Sequence, residues 1–291
     1  MEYANALNGC EELTVHPHKL PDQLFVAIKA FVYDLEIVTG RKFGSPEDKL
    51  EVGVPLLLSV RSGGSCPVHQ HSKTILNLGM NDAVVSKLSA ETSEYFALDC
   101  YRRFLQMFGT TVGQIQTFCY DDIMSKLLID KGGVAPMDIK DLRAIVKAFK
   151  EISLVPEDPW DQLQAAVASY YRIWFSKGCK RDREFHQIPE DAGVSIIVQS
   201  MVFGNLTHGS GTGICSTRHP TTGEKVLFGE FLPTSEGSVC FLLWIVNNIL
   251  FTMSFPQGMS WFLLSDHQLL WKRCKLRSVM FTKDSLGMPQ R

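Results

Sequence analysis

At 291 residues, 45% of them hydrophobic, the chain is long enough for one large domain or two small ones with packed cores. Its 29 basic and 31 acidic side chains nearly cancel, at a formal net charge of −2, so composition points to neither nucleic acid nor an anionic membrane. Positive charge that holds an anion has to be local.

The first residues, Met1-Glu2-Tyr3-Ala4-Asn5-Ala6, place an acid early and build no apolar core, and no secretory signal is expected there. Eight cysteines, at positions 10, 66, 100, 119, 179, 215, 240 and 274, form no CxxC pair and no regular framework, which fits reduced thiols in a cytoplasmic protein. His16-Pro17-His18 and His69-Gln70-His71 would each put two imidazoles on one face of a strand. Neither has Cys, Asp or Glu at a spacing that completes a tetrahedral metal site, and both read as solvated histidines.

Pro21 to Thr39 carries Leu24, Phe25, Ile28, Phe31, Val32, Leu35 and Val38 at three- and four-residue spacing, the pattern of an amphipathic helix, and Gly40 ends it. Gly53 to Val60 is a short run rich in Val and Leu. It predicts a buried strand that delivers Arg61 at its carboxyl end, ahead of a Ser62-Gly63-Gly64 turn. Spacing leaves two roles open for Arg61: a surface ion pair, or a clamp on a phosphate.

From Asn81 to Ser153 the period is helical. Phe96, Cys100, Tyr101, Phe104, Met107 and Phe108 form one core stripe, with Arg102 and Arg103 largely on the other side; Ile139, Leu142, Ile145, Val146 and Phe149 form another behind the cap candidate Asp138. Asp158-Pro159-Trp160-Asp161 has the logic of a helix start: an acid to cap, a proline at the first position, an acid in the first turn. Trp160, Leu163, Val167, Tyr170, Tyr171 and Trp174 supply the buried stripe of that helix. Lys177, Lys180, Arg181 and Arg183 follow as a solvated face.

An apolar run from Val194 to Val202 then opens into Gly209-Ser210-Gly211-Thr212-Gly213 and returns through Thr217-Arg218-His219-Pro220 to a second run, Val226 to Phe231. Two strands joined by a polar loop is the plainest reading. Glycines at positive φ would let backbone N–H groups converge, so Gly211, Thr212 and Gly213 are candidates for an anion cradle with Arg218 as the fixed charge beside it. A plain turn is the competing reading. Glu224 and Glu230 are the acids around the second strand.

Beyond Gly237 the composition shifts. Ser238 to Ser265 contains no charged residue, and three of the five tryptophans lie past position 238. Val239 to Phe255 approaches the length of a membrane span, but Asn247 and Asn248 sit in its middle and Pro256-Gln257-Gly258 breaks it. A tail foreign to the domain, such as translated non-coding sequence, is the expectation; membrane association through residues 239–264 is the alternative.

Five segments, in this order, resemble the nucleotide-binding part of the pyruvate, phosphate dikinase family: Leu58-Ser59-Val60-Arg61-Ser62-Gly63, then 74–82, 99–109, Asp158-Pro159-Trp160-Asp161-Gln162-Leu163, and 198–205. The likeness runs from roughly Leu20 to Gly237. It implies an α/β (α+β) architecture, an ATP-grasp-like nucleotide-binding domain with an inserted helical subdomain. Residues 1–80 and 155–200 would form the first part, 81–154 the helical insertion and 201–237 the start of a second subdomain, leaving 238–291 as a divergent hydrophobic tail.

The resemblance also implies ATP and Mg²⁺ as ligands. Arg61 and Ser62 would meet the nucleotide from one side, with Gly211, Thr212, Gly213, Arg218 and Glu230 as further contacts, and Glu230 as the metal ligand. In the family, ATP phosphorylates a histidine on a swivelling domain, which carries the group to pyruvate in a barrel domain. No phosphohistidine motif or barrel is present here, so no catalytic residue is expected, and a separate phosphohistidine-bearing domain is the implied partner. Two stretches depart from the pattern. Residues 64–73 replace a Ser-Met-Pro-Gly-Met-Met-Asp type of segment with polar residues and Lys73, and Glu236-Gly237-Ser238 replaces a Gln-Gly-Glu segment. A catalytically dead relic or interaction module is therefore the second expectation.

Overall fold

A computed structural model describes residues 20, 22–45, 54–63, 74–130, 137–189, 195–206, 210–219, 222–226, 228–234, 260–264 and 279–280. Both His-x-His pairs, the departing segments 64–73 and 236–238, and most of the apolar tail lie outside them. The chain divides into two compact units, residues 1–201 with 277–291, and residues 202–276. Among the described residues no helix is long and apolar enough to cross a membrane.

The first unit contains α1 (Asp22–Thr39), β1 (Leu58–Gly63), β2 (Ile75–Leu78), α2 (Asp82–Glu91), α3 (Glu94–Thr111), α4 (Thr117–Asp130), α5 (Ile139–Ser153), α6 (Pro159–Trp174), α7 (Lys177–Phe185) and β3 (Ser195–Ser200). With β7 (Val279–Met280), the strands form an antiparallel sheet in the order β2-β1-β3-β7. The second unit is built on β4 (Gly211–Ser216), β5 (Phe228–Pro233) and β6 (Ser260–Leu264), antiparallel in the order β5-β4-β6. The architecture is mixed helix and antiparallel sheet, the α+β character expected.

Helix α1 buries Leu24, Ile28 and Val32, while Val38 is two-thirds exposed, so the apolar stripe is narrower than the spacing suggests. One turn from its end Glu36 is buried. Its carboxylate accepts the Phe43 N–H at 2.9 Å and the Lys42 ammonium at 2.8 Å, which fixes the return of the chain after Gly40. That return needs glycine at 44: its φ is +57°, and a Cβ there would lie 2.3 Å from Cγ of Pro159.

Helices α3 and α5 carry the predicted stripes into one core. Phe96, Cys100, Tyr101, Phe104 and Phe108 are buried on α3, and Leu142, Ile145, Val146 and Phe149 on α5. Asp138 caps α5 in a reciprocal box with Asp141, each side chain taking the other residue's backbone N–H at 2.9 Å. Arg102 departs from expectation: it is buried, because Asp99 one turn earlier pairs with its guanidinium at 2.7 Å. Arg103 reaches the same carboxylate at 2.8 Å.

Helix α6 starts as predicted, with Asp158 accepting the Trp160 N–H at 2.7 Å and Pro159 at the first position. Four residues in, fully buried Gln162 accepts from Gly79 N–H at 2.9 Å and donates to the carbonyls of Met80 (2.9 Å) and Pro156 (2.8 Å). It thereby ties the exit of β2 to the start of α6. On α7, Lys177, Lys180 and Arg181 are exposed as expected, but Arg183 is not. Its guanidinium lies 4.2 Å from the Trp174 ring centroid and donates to the Trp174 carbonyl, so an aromatic face and a helix-end acceptor replace water.

Candidate functional site

Arg61 and Ser62 sit within β1, not beyond its end. The strand runs on to Gly63 because β3 supplies an antiparallel partner for each residue, pairing Arg61 with Ile197, Ser62 with Ile196 and Gly63 with Ser195. The predicted Ser62-Gly63 turn is thus strand, and a Cβ on Gly63 would lie 2.7 Å from Cδ1 of Ile197.

On its other edge β1 meets β2 irregularly. Leu58 pairs with Leu78 and Val60 with Ile75, so two steps on β1 face three on β2. Asn77 lies inside that interval at φ +59°, a left-handed conformation that Asn tolerates best after glycine. The Tyr170 hydroxyl of α6 donates to the Val60 carbonyl here at 2.7 Å.

Arg61 follows directly. It is half-buried; its Nε is shielded from solvent without a hydrogen-bond acceptor, and among the described residues no carboxylate pairs with it. Burial holds its pKa below the ordinary arginine value, with no acid among the described residues to offset the cost. A cation kept in this condition has donors to offer an incoming anion.

In the second unit, Gly211, Thr212 and Gly213 also prove to be strand. They open β4 and pair with Pro233, Leu232 and Phe231 of β5, while Ile214 pairs with Glu230. The two apolar runs flanking this stretch lie in different sheets, β3 in one and β5 in the other. Neither Gly211 nor Gly213 has a positive φ, because pairing with β5 and β6 holds both extended. The cradle expected from a left-handed glycine turn is not formed by these residues, although Thr212 and the preceding Ser210 are both buried.

Arg218 lies in the connection between β4 and β5, exposed, with Nη1 donating to the Gly223 carbonyl at 3.0 Å. The same tip is closed by Gly223 N–H on the His219 carbonyl and Thr222 N–H on Nδ1 of His219. Glu224 is exposed at the tip, and Glu230 is placed on β5 by its backbone. Among the described residues no group of three or more His, Cys, Asp or Glu could hold a metal ion.

Sequence reasoning placed Tyr170 and Gln162 on α6 without giving either polar group a task. A tyrosine in a buried stripe is itself a signal, since its hydroxyl needs a partner once water is gone. The partner is an atom 110 residues away in the chain.

No protein-family model matches the chain. It is 37% identical over 236 residues to a pyruvate, phosphate dikinase of Rickettsia conorii. Over 237 residues it is 38% identical to a chloroplastic pyruvate, phosphate dikinase of Mesembryanthemum crystallinum, and equally to the chloroplastic pyruvate, phosphate dikinase 1 of Zea mays. These alignments cover 78–79% of this chain and 24–26% of the relatives, so the chain spans about a quarter of the length of the curated relatives it matches.

Proposed function

We propose that this chain, homologous to part of pyruvate, phosphate dikinase, is the ATP-binding portion of a phosphotransferase of that kind. In the full enzyme, ATP, pyruvate and phosphate become AMP, phosphoenolpyruvate and diphosphate; this chain supplies the nucleotide end and needs a phosphohistidine-bearing domain for the rest. Its fold is ATP-grasp-like, with the helices between residues 81 and 154 as an insertion, and its compartment is the cytoplasm.

The observation that carries the reading is Arg61. Its shielded Nε lacks an acceptor and, among the described residues, no acid compensates its charge; a phosphate oxygen would answer both conditions. Ser62 lies next to it on β1. The family resemblance implies Gly211, Thr212, Gly213, Arg218 and Glu230 as further contacts, with Glu230 as the one hard oxygen ligand for a metal. Mg²⁺ on a nucleotide commonly takes one or two carboxylates, with phosphate and water completing its shell, so Glu230 alone suffices from the protein. Bound Mg²⁺ would neutralise charge on the phosphates, and the chain's own part is to hold and orient them.

Calorimetric titration with ATP in the presence and absence of Mg²⁺ tests this. Saturable heat is expected, stronger with Mg²⁺, and Arg61→Met should weaken binding by about tenfold or more, the worth of one charge-assisted hydrogen bond. No heat at millimolar ATP would remove the proposal.

A catalytically dead relic or interaction module is the second reading, and two observations favour it: in the second unit Gly211 and Gly213 are held extended, and Arg218 donates to its own turn. It predicts a folded chain on which ATP has no effect. Membrane association through residues 239–264 is a third reading, tested by flotation with vesicles.

A further inference from the structure

We infer that Tyr170 is a positioning residue for the phosphate contact: by bridging β1 and β2 across the bulge at Asn77, it fixes the direction in which Arg61 leaves its strand. This rests on the reading of Arg61 as a nucleotide contact and adds the group that aims it.

Between the pairs Leu58–Leu78 and Val60–Ile75 the strands fall out of step by one residue, and a bulge of that kind bends and twists its neighbourhood. It also separates rungs, leaving main-chain groups that have to be satisfied in a buried place, since Leu58, Val60, Ile75 and Leu78 are all fully buried. Tyr170 meets that need from α6. Its hydroxyl donates to the Val60 carbonyl at 2.7 Å and takes a hydrogen bond from the Ile75 backbone, so one side-chain oxygen stands where a direct rung would be.

The residue so held is the one before Arg61. Val60 is covalently joined to the guanidinium-bearing residue, and strand alternation sends their side chains to opposite faces. Pinning the Val60 carbonyl therefore sets the orientation of the peptide from which Arg61 departs. Helix α6 is a rigid arm for this purpose. Gln162 ties its first turn to the carbonyls of Met80 and Pro156, and Trp174 is buried at its far end. Phenylalanine would fill the same space, so the hydroxyl is present for the bridge.

The test uses the full chain and two readouts. In the first, Tyr170→Phe is combined with Arg61→Met in a double-mutant cycle read by MgATP titration into the millimolar range. Tyr170→Phe should weaken binding about five- to tenfold when Arg61 is present and less than twofold when it is absent, the coupling expected of residues that act through each other. An equal loss in both backgrounds would make Tyr170 a general support of the fold and overturn the inference. In the second, the side-chain Nε–H resonance of Arg61 is followed in ¹⁵N-arginine-labelled protein without nucleotide, assigned by its disappearance in Arg61→Met. Tyr170→Phe should shift that resonance and leave those of Arg102 and Arg183 in place; an unmoved Arg61 signal overturns the inference. If Tyr170→Phe does not fold, 3-fluorotyrosine at position 170 alters the hydroxyl's acidity with little change in shape and reads the same coupling. A wild-type chain that ignores ATP while its Arg61 resonance responds to Tyr170 would sink the nucleotide reading and leave the positioning intact.

Discussion

The helical stretch from α2 to α5 and the strand β1 treat buried charge in opposite ways. On the helices the cations that lose water are matched from within: Asp99 holds Arg102 and Arg103, and Lys150 lies between Asp82 at 2.7 Å and Glu157 at 3.4 Å. Burial alone would lower the pKa of Lys150, yet those two acids leave it raised. On β1, Arg61 meets burial with no acid among the described residues to offset it. A desolvated cation with an internal partner has a structural explanation, and one without calls for a partner from outside.

The largest effect should come from breaking the matched side. Asp99→Ala leaves Arg102 buried and unpaired, at a cost of about 3–5 kcal/mol in urea unfolding. The same pair predicts a pH dependence. Burial by itself would raise the pKa of Asp99, but Arg102 and Arg103 hold it below the usual carboxylate value. A depressed folded-state pKa contributes stability that is present above the unfolded-state value of about 3.9 and lost as pH falls through the folded one. The wild type should therefore lose stability more steeply than Asp99→Asn as pH drops below about 4. A slope shared by both proteins would deny the pair its role.

Next comes packing in the same helices. The Tyr120 side chain of α4 lies so close over Gly109 of α3 that a Cβ there would lie 1.8 Å from its hydroxyl. That hydroxyl is itself engaged with Ser153 at 2.9 Å, and the Tyr120 ring packs edge-on against Phe149 with centroids 4.8 Å apart. Gly109→Ala should cost about 2–3 kcal/mol, since overpacking has nowhere to relax. A thermal melt within a degree of wild type would show that this layer yields.

Somewhat smaller is the loss at Gln162. Gln162→Met keeps the volume but strips the Met80 and Pro156 carbonyls and the Gly79 N–H of their partner. About 2 kcal/mol is expected, set by the buried main-chain groups left without bonds. ATP affinity should follow stability here and fall by no more than the fold does, in contrast with substitutions around Arg61.

The helices were legible in the sequence because their signals are local. A three-and-four spacing, Asp138 before α5 and Asp158-Pro159 before α6 each act within one or two turns. What escaped reading was fixed by partners that helical spacing alone does not reveal, some within the same stretch and some far along the chain. Arg102 and Arg183 look solvated on a helical wheel until Asp99 and the Trp174 ring supply replacements for water. The extent of β1 to Gly63 depends on β3, more than 130 residues on, and Gly211 to Gly213 are strand because β5 and β6 flank them. Arg61 was visible as a residue from the family resemblance. Its lack of an internal acceptor, the property that makes it informative, belongs to three dimensions alone.

The smallest change in stability should come from Arg61→Met, and that smallness is the sharpest form of the contrast. The wild-type guanidinium gives up part of its hydration on β1 and, among the described residues, gains no ion pair in return. Methionine keeps most of the apolar stem and removes the desolvated charge, so unfolding free energy should stay within about 0.5 kcal/mol of the wild type or rise above it. MgATP binding should fall by about tenfold or more in the same protein, because the lost donors serve a ligand and not the fold. Denaturant unfolding and calorimetry on one preparation measure both. If Arg61→Met destabilises the chain as much as Asp99→Ala does, then Arg61 has an anionic partner inside the protein, and the two regions handle buried charge alike.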